Sequence, residues 1–213
     1  MAQVSLPHDA KAGPTKPEVR AVLLSKLDLD STDHFAEVGS CTGAVTAEAA
    51  QRAGRVTALE REPDRLETTR RNLAANGIDV DAGGDDTDVA DTDHADVTLR
   101  ATEAPEGLPD DADALFLGGS RNYEAVLAHA VETGVDRVVM NVSRLEVAGA
   151  ATEAFRDRDL LDEVVQFQVS HGYELAGATS FDSDNPVYML VGGAGASDAC
   201  TADTDVAADG GRR

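Results

Sequence analysis

The run Glu37-Val38-Gly39-Ser40-Cys41-Thr42-Gly43 closes one apolar stretch, and seventeen residues past Gly43 the acid Glu60 closes the next. Glycines at the end of a strand let the backbone turn sharply and approach a ligand with no Cβ in the way. A carboxylate at the end of the following strand can accept two hydrogen bonds from the vicinal hydroxyls of a ribose. Turn and acid together describe a nucleoside site, although a tight structural turn and a solvated strand end would use the same residue types. Two features favour S-adenosylmethionine over a dinucleotide. The glycine spacing is not G-x-G-x-x-G, and the sheet closes with an antiparallel pair rather than a second mononucleotide-binding half. A sulfonium is positive, which suits a site flanked by Glu37 and Glu60.

Four other places invite a chemical reading. Gly118-Gly119-Ser120 follows the fourth apolar run, where glycines either open space above a sheet for a broad substrate or simply make a tight turn. Asn141, at the end of the fifth, is either a substrate contact or a strand-terminal amide bonded to its own surroundings. Cys41 reads as a turn cysteine rather than a nucleophile, since no histidine lies in the matching elements, and His171 is left unassigned. The acidic run 79–94 could be taken for a calcium loop, but it lacks the terminal glutamate and spacing of one, so no metal is expected.

The elements that must position these residues follow from periodicity. Residues 1–14, with Pro7, Gly13 and Pro14, predict an extended lead-in that is ordered only if something holds it. Val19, Val22, Leu23 and Leu27 recur at helical spacing after Pro17. Strands are expected at 34–38, 55–59, 96–99, 113–117 and 137–142, and helices at 44–53, 63–76, 123–133 and 145–155. Two later runs, EVVQFQVS and PVYMLVG, are expected to pair antiparallel as a hairpin at the sheet edge. This alternation predicts an α/β, Rossmann-like fold with a mostly parallel sheet and an antiparallel C-terminal hairpin, its ligands at the carboxyl ends of the strands. One domain is expected over 1–194, carrying a solvated acidic insertion at about 79–94, with a disordered acidic tail over 195–213.

Composition narrows the setting. Forty acidic residues oppose eighteen basic ones, a formal charge of -22, and only Lys11, Lys16 and Lys26 among the basic residues are lysines. Dispersed carboxylates with scarce lysine read as adaptation to high salt, where screening relieves the self-repulsion of such a charge. The acidity then says little about the charge of a partner. Tryptophan is absent and aromatics make up 4%, which leaves little material for base-stacking platforms and argues against nucleic acid. Cys41 and Cys200 match neither a disulfide framework nor a zinc pattern, no apolar run is long enough to span a membrane, and the first residues lack the apolar core of a signal peptide. A cytoplasmic protein is expected.

Beyond these single features, the chain resembles the decarboxylating cobalt-precorrin-6B (carbon-15) methyltransferases of cobalamin biosynthesis. The resemblance is carried by Gly13-Pro14-Thr15-Lys16, the Glu37 to Gly43 turn, Ala58-Leu59-Glu60-Arg61, Glu103-Ala104-Pro105-Glu106, Gly118-Gly119-Ser120 and Asn185-Pro186-Val187. It runs from about Gly13 to Gly192, with Cys41 standing where the family's turn usually has a glycine. It implies a class I methyltransferase that methylates carbon 15 of the corrin precursor and removes the carboxyl of the acetate on carbon 12. The cofactor site so implied comprises Thr15, Gly39, Ser40, Cys41, Thr42, Gly43, Glu60 and Ala104, with Glu103 near the adenine. Gly118, Gly119 and Ser120 would lie near the mouth for the tetrapyrrole, in a homotetramer. The rival expectations are a methyltransferase for tRNA or protein, and a non-catalytic cofactor-binding or scaffold protein of the same fold.

Overall fold

A computed structural model describes residues 4–10, 13–80, 94–119 and 121–194. Most of the acidic insertion (81–93), Ser120 and the tail from 195 onward lie outside the described residues, so the expectations placed on them are not addressed by the structure.

Helix α1 spans Pro17–Leu27; Pro17 sets the first turn, and Asp28 ends it in the left-handed conformation. Its Val19, Leu23 and Leu27 are buried, the spacing that places them on one face. Then come β1 (His34–Val38), α2 (Ala44–Ala49), β2 (Arg55–Leu59), α3 (Pro63–Ala75), β3 (Asp96–Arg100) and β4 (Ala114–Leu117). They are followed by α4 (Tyr123–Thr133), β5 (Arg137–Val142), α5 (Leu145–Arg156), β6 (Leu161–Phe167), β7 (Ser170–Leu175), β8 (Ala178–Ser183) and β9 (Val187–Gly192).

Seven strands form one sheet in the order β3-β2-β1-β4-β5-β9-β6. The first five are parallel, whereas β9 runs antiparallel to both β5 and β6. This is the doubly wound, Rossmann-like arrangement. Alternate residues feed two cores: Ala36, Leu115, Leu117, Val138 and Met140 face α4 and α5, while Phe35, Val56, Phe116 and Val139 face α1 and the helices beside it. Chain order turns back on itself between β1 and β4, and a sheet of this kind opens a crevice at that reversal.

One expectation needs correction. Helix α2 stops at Ala49, not Ala53, because the chain turns through Gln51 and Arg52 to reach β2. The two C-terminal runs pair antiparallel at the edge of the sheet, as expected. The sequence between them forms a separate β7–β8 ribbon, and β9 threads inside the sheet, leaving β6 as the edge. The ribbon went unread because nearly all of it is exposed and its strands pair only with each other, so no buried face imposes an apolar alternation.

The lead-in is held, as its composition required. Asn76 bonds both the N–H and the carbonyl of Ser5, and Asn72 does the same for His8, so two side-chain amides of α3 act as a substitute strand. Neither amide would look unusual in a helical sequence pattern.

The net charge of -22 carries a thermal prediction. Moving from about 0.1 M to about 2 M potassium chloride should raise the melting temperature by on the order of 10 °C, as screening removes a few kcal/mol of self-repulsion. A melt that does not move would contradict the reading of the surface as salt-adapted.

Candidate functional site

The turn after β1 is built by backbone accounting. The Leu59 carbonyl accepts from the N–H groups of both Gly39 (2.8 Å) and Ser40 (3.1 Å), and Gly43 N–H donates to Ser40 O at 2.7 Å. Gly39 and Gly43 take φ of +84° and +73°, and between them Cys41 sits at +53°. Glycine takes this left-handed conformation freely, whereas cysteine adopts it at some cost in strain.

Helix α3 braces this turn from behind. Ser40 Oγ lies 3.0 Å from Thr69 Oγ1, which donates onward to the Cys41 carbonyl at 3.1 Å. Asn72 Nδ2 donates to the Thr42 carbonyl at 2.8 Å, so one buried amide serves both turn and lead-in. Thr69 and Asn72 are functional supports that sequence reasoning missed, since nothing in their local pattern distinguishes them from ordinary helix residues.

Glu60 is 5% exposed at the end of β2. Its Oε2 accepts from the Cys41 N–H at 3.3 Å and its Oε1 from the Glu62 N–H at 3.0 Å, which aims the carboxylate across the end of the sheet. Glu37, 2% exposed on β1, accepts a 2.6 Å hydrogen bond from the Thr46 hydroxyl of α2. Burial pushes the Glu37 carboxyl up to about 7; the Thr46 hydroxyl opposes the shift and the nearby Glu60 carboxylate adds to it.

This group has a determinate pH signature. A carboxyl whose folded value lies above its ordinary 4.5 holds a proton longer in the folded than in the unfolded chain. Its contribution to stability is full below pH 4.5 and is lost as pH rises through about 7. Glu37→Gln cannot ionise, so its melting temperature relative to wild type should climb between about pH 5 and about pH 8. A pH-independent gap between the two proteins would show that Glu37 does not titrate in this window.

Two clefts open at the carboxyl ends of the strands, on either side of the point where Gly39 and Gly118 approach. There Gly118 N–H donates to Val38 O at 2.9 Å, and a Cβ on Gly118 would fall 3.2 Å from the Gly39 carbonyl. The larger cleft, about 250 Å³, brings together Thr15, Gly39, Ser40, Cys41 and Thr42 with Glu37, Lys16, Phe116, Gly118 and Asn141. The smaller, about 170 Å³, brings Glu60, Glu103 and Ala104 to the other side of Gly39, Cys41, Gly118 and Gly119. Gly43 lines neither; it caps α2 and packs against Thr69, so its part is to shape the turn rather than to touch a ligand. Ser120 lies outside the described residues. His171 sits on the exposed ribbon, 3.7 Å from Asp184, and lines neither cleft.

The lead-in reaches the larger cleft under restraint. Arg20, 4% exposed on α1, donates to the Thr15 carbonyl and forms a 2.7 Å ion pair with Glu48 of α2. Lys16, the one basic residue lining that cleft among the described residues, pairs at 2.7 Å with Asp184 in the loop before β9. Asn141 lines the same cleft. Both of its amide atoms, Nδ2 and Oδ1, are shielded from solvent and have no hydrogen-bond partner among the described residues. Among the described residues the local hydrogen bonds expected of Asn141 are not found. A buried donor or acceptor left unmet costs about 1–3 kcal/mol.

Among the described residues, no group of three or more histidine, cysteine or acidic side chains is arranged to hold a metal ion, and no helix is long and apolar enough to cross a membrane.

Comparison with known proteins adds an independent line. Residues 7–192 match the sequence family described as a precorrin methyltransferase domain. A protein of Halobacterium salinarum named as a probable cobalt-precorrin-6B C(15)-methyltransferase (decarboxylating) is 75% identical over 194 residues, covering 91% of this chain and 96% of the relative. Among solved structures, a precorrin-6Y C5,15-methyltransferase from Geobacter metallireducens superposes with a TM-score of 0.73 at 32% identity, over 87% of this chain and 93% of that one. A precorrin 8W decarboxylase from Methanobacterium thermoautotrophicum gives 0.72 at 30% identity, over 85% and 92%.

Proposed function

The chain belongs to the precorrin methyltransferase family, and from that premise we propose that it methylates carbon 15 of cobalt-precorrin-6B at the expense of S-adenosylmethionine and removes the carboxyl of the acetate on carbon 12. The observation that carries the reading is the pair of clefts meeting at Gly39 and Gly118, one holding the ribose-type acid Glu60 and the other open to a second ligand.

The residues present fit the cofactor. Gly39 turns its backbone at φ +84° toward the Gly118-Gly119 backbone, a cradle that a side chain would fill. When bound there, S-adenosylmethionine supplies an electrophilic methyl and leaves as a neutral thioether. Glu60 would accept the ribose hydroxyls, Glu103 and Ala104 would border the adenine, and Thr15 with residues 39–42 would line the path of the methionine end. Glu37 and Glu60 place negative charge around a cationic ligand, and a carboxyl titrating near 7 gains a reason to ionise when that cation arrives.

The acceptor carbon belongs to an electron-rich macrocycle, so the protein need not provide a covalent catalyst. Its contribution is alignment of two bound reactants, worth up to about 7–11 kcal/mol. Gly118 and Gly119 keep the rim between the clefts low, which suits a broad planar substrate. The same reading brings a cytoplasmic homotetramer of one catalytic domain; the ribbon, with Tyr173, Leu175 and Phe181 exposed, supports assembly.

The test is to incubate the protein in high salt with S-adenosylmethionine and cobalt-precorrin-6B and to follow products by mass spectrometry. The expected product has gained one methyl and lost one carbon dioxide. Methyl gain without decarboxylation would keep the enzyme class but refute the bifunctional assignment. No reaction with the corrin, alongside methylation of RNA or protein from a cell extract, would move the activity to another substrate.

A further inference from the structure

Resting on that reading of the function, we infer that Lys16 holds a peripheral carboxylate of the macrocycle at the larger cleft, and that Asp184 occupies its ammonium until the substrate arrives. The place of Lys16 is not one where the fold asks for a lysine. It is the N-cap of α1, extended at φ -60° and ψ 143° before Pro17, and its side chain makes no capping hydrogen bond. N-cap positions favour Ser, Thr, Asp or Asn, whose oxygens accept from the free N–H groups of the first turn, and the positive end of the helix dipole disfavours a cation. A lysine there breaks a local rule, and such departures collect where function needs the residue.

The side chain is within reach of a ligand. Its pair with Asp184 spans 2.7 Å, and the two side chains are 30% and 38% exposed. Both partners are anchored. Arg20 fixes the Thr15 carbonyl, one residue before Lys16. Asp184 is tied through its backbone, its N–H donating to the Val169 carbonyl at 2.9 Å and its carbonyl accepting from Gln168 Nε2 at 2.7 Å. The same carboxylate oxygen that meets Lys16 lies 3.7 Å from His171 Nε2. Two held segments thus meet in an ion pair at a cleft whose lining, among the described residues, includes no other cation. A pair this exposed adds little to stability and is readily exchanged.

Charge decides which ligand takes the place of Asp184. S-adenosylmethionine is zwitterionic at its amino-acid end and positive at sulfur, so it needs no further positive partner. The corrin precursor carries a ring of acetate and propionate carboxylates and must settle on a chain of net charge -22. In molar salt the Debye length is roughly 3 Å, which screens the long-range repulsion and leaves recognition to groups in contact. An ammonium against a carboxylate is a charge-assisted hydrogen bond, and it strengthens when the broad face of the macrocycle shuts water out of the cleft. Asp184 presents the same chemical group, and so marks the place where a substrate carboxylate fits.

Lys16→Met and Asp184→Asn break the same ion pair and should act in opposite directions. The readout is the dissociation constant for cobalt-precorrin-6B, by calorimetry in high salt with S-adenosylhomocysteine saturating. Lys16→Met should raise it about tenfold, because a charged hydrogen bond is lost. Asp184→Asn removes the competitor and should lower it about twofold to fivefold, the weight of one exposed ion pair. Lys16→Arg keeps the cation and should stay within about threefold of wild type. Affinity for S-adenosylhomocysteine alone should stay within about twofold in all three. A pair that merely fastens the lead-in to the loop would make the first two variants weaken corrin binding alike, and that result overturns the inference. So does a corrin dissociation constant that either of them leaves unmoved, or a large loss of S-adenosylhomocysteine affinity in Lys16→Met, which would make Lys16 a cofactor ligand. Wild-type protein that leaves cobalt-precorrin-6B unmethylated overturns the substrate reading itself, and with it this inference, before any variant is made.

Discussion

Replacing Glu60 by alanine should raise the dissociation constant for S-adenosylmethionine roughly a hundredfold, equivalent to about 3 kcal/mol. Two ribose hydroxyls would lose a charged acceptor, each such bond being worth about 1.5–3 kcal/mol. The structure adds a second loss. Glu60 Oε2 also holds the Cys41 N–H at 3.3 Å and Oε1 the Glu62 N–H at 3.0 Å, so the carboxylate both binds and fixes the turns on either side of it. Glu60→Gln separates the two effects. It keeps one side-chain oxygen acceptor but not the charge, and should lose closer to tenfold, about 1.4 kcal/mol. Calorimetry with S-adenosylhomocysteine alongside shows how much of the loss depends on the sulfonium charge. Unchanged affinity in the alanine variant would remove Glu60 from the cofactor site.

Glu60, Gly39 and Gly118 were legible in the sequence for a common physical reason. In a mostly parallel sheet buried on both faces, each strand is a short apolar run, and whatever follows it abruptly, a glycine or an acid, lies at the ligand-bearing edge. The buried strands β1, β2, β4 and β5 could be found in the same way. What escaped was held by partners distant in sequence. Thr69 and Asn72 matter because α3 happens to lie behind the turn, and their own neighbours carry no trace of it. Arg20 looks like a solvated helix residue until the fold buries it against Glu48 and the Thr15 carbonyl. The ribbon escaped for the opposite reason, having no core to encode. Asn141 is an intermediate case: its place at a strand end was readable, but its want of partners exists only in three dimensions.

Gly43→Ala should lower the melting temperature by about 10 °C, although Gly43 touches neither cleft. Two costs combine. Gly43 holds φ at +73°, and a non-glycine residue there is strained by about 1–3 kcal/mol. The added Cβ would also lie 2.9 Å from Thr69 Cγ2, closer than packed atoms allow, and 3.2 Å from Thr69 Cα, tighter than most contacts. Thr69 cannot retreat without releasing Ser40 and the Cys41 carbonyl, so the turn that lines both clefts must shift and cofactor affinity should fall with stability. Gly77 isolates the first cost. Its φ is +72°, yet nothing lies within 4 Å of where a Cβ would stand, so Gly77→Ala should show the strain alone, with cofactor affinity unchanged. Thr69→Ser isolates the second, because serine keeps the hydroxyl and discards Cγ2. Added to Gly43→Ala it should recover part of the lost stability, a non-additive gain on the order of 1 kcal/mol between residues in direct contact. If the double variant is no more stable than the sum of its single changes, the contact with Thr69 is not what makes glycine necessary at this turn.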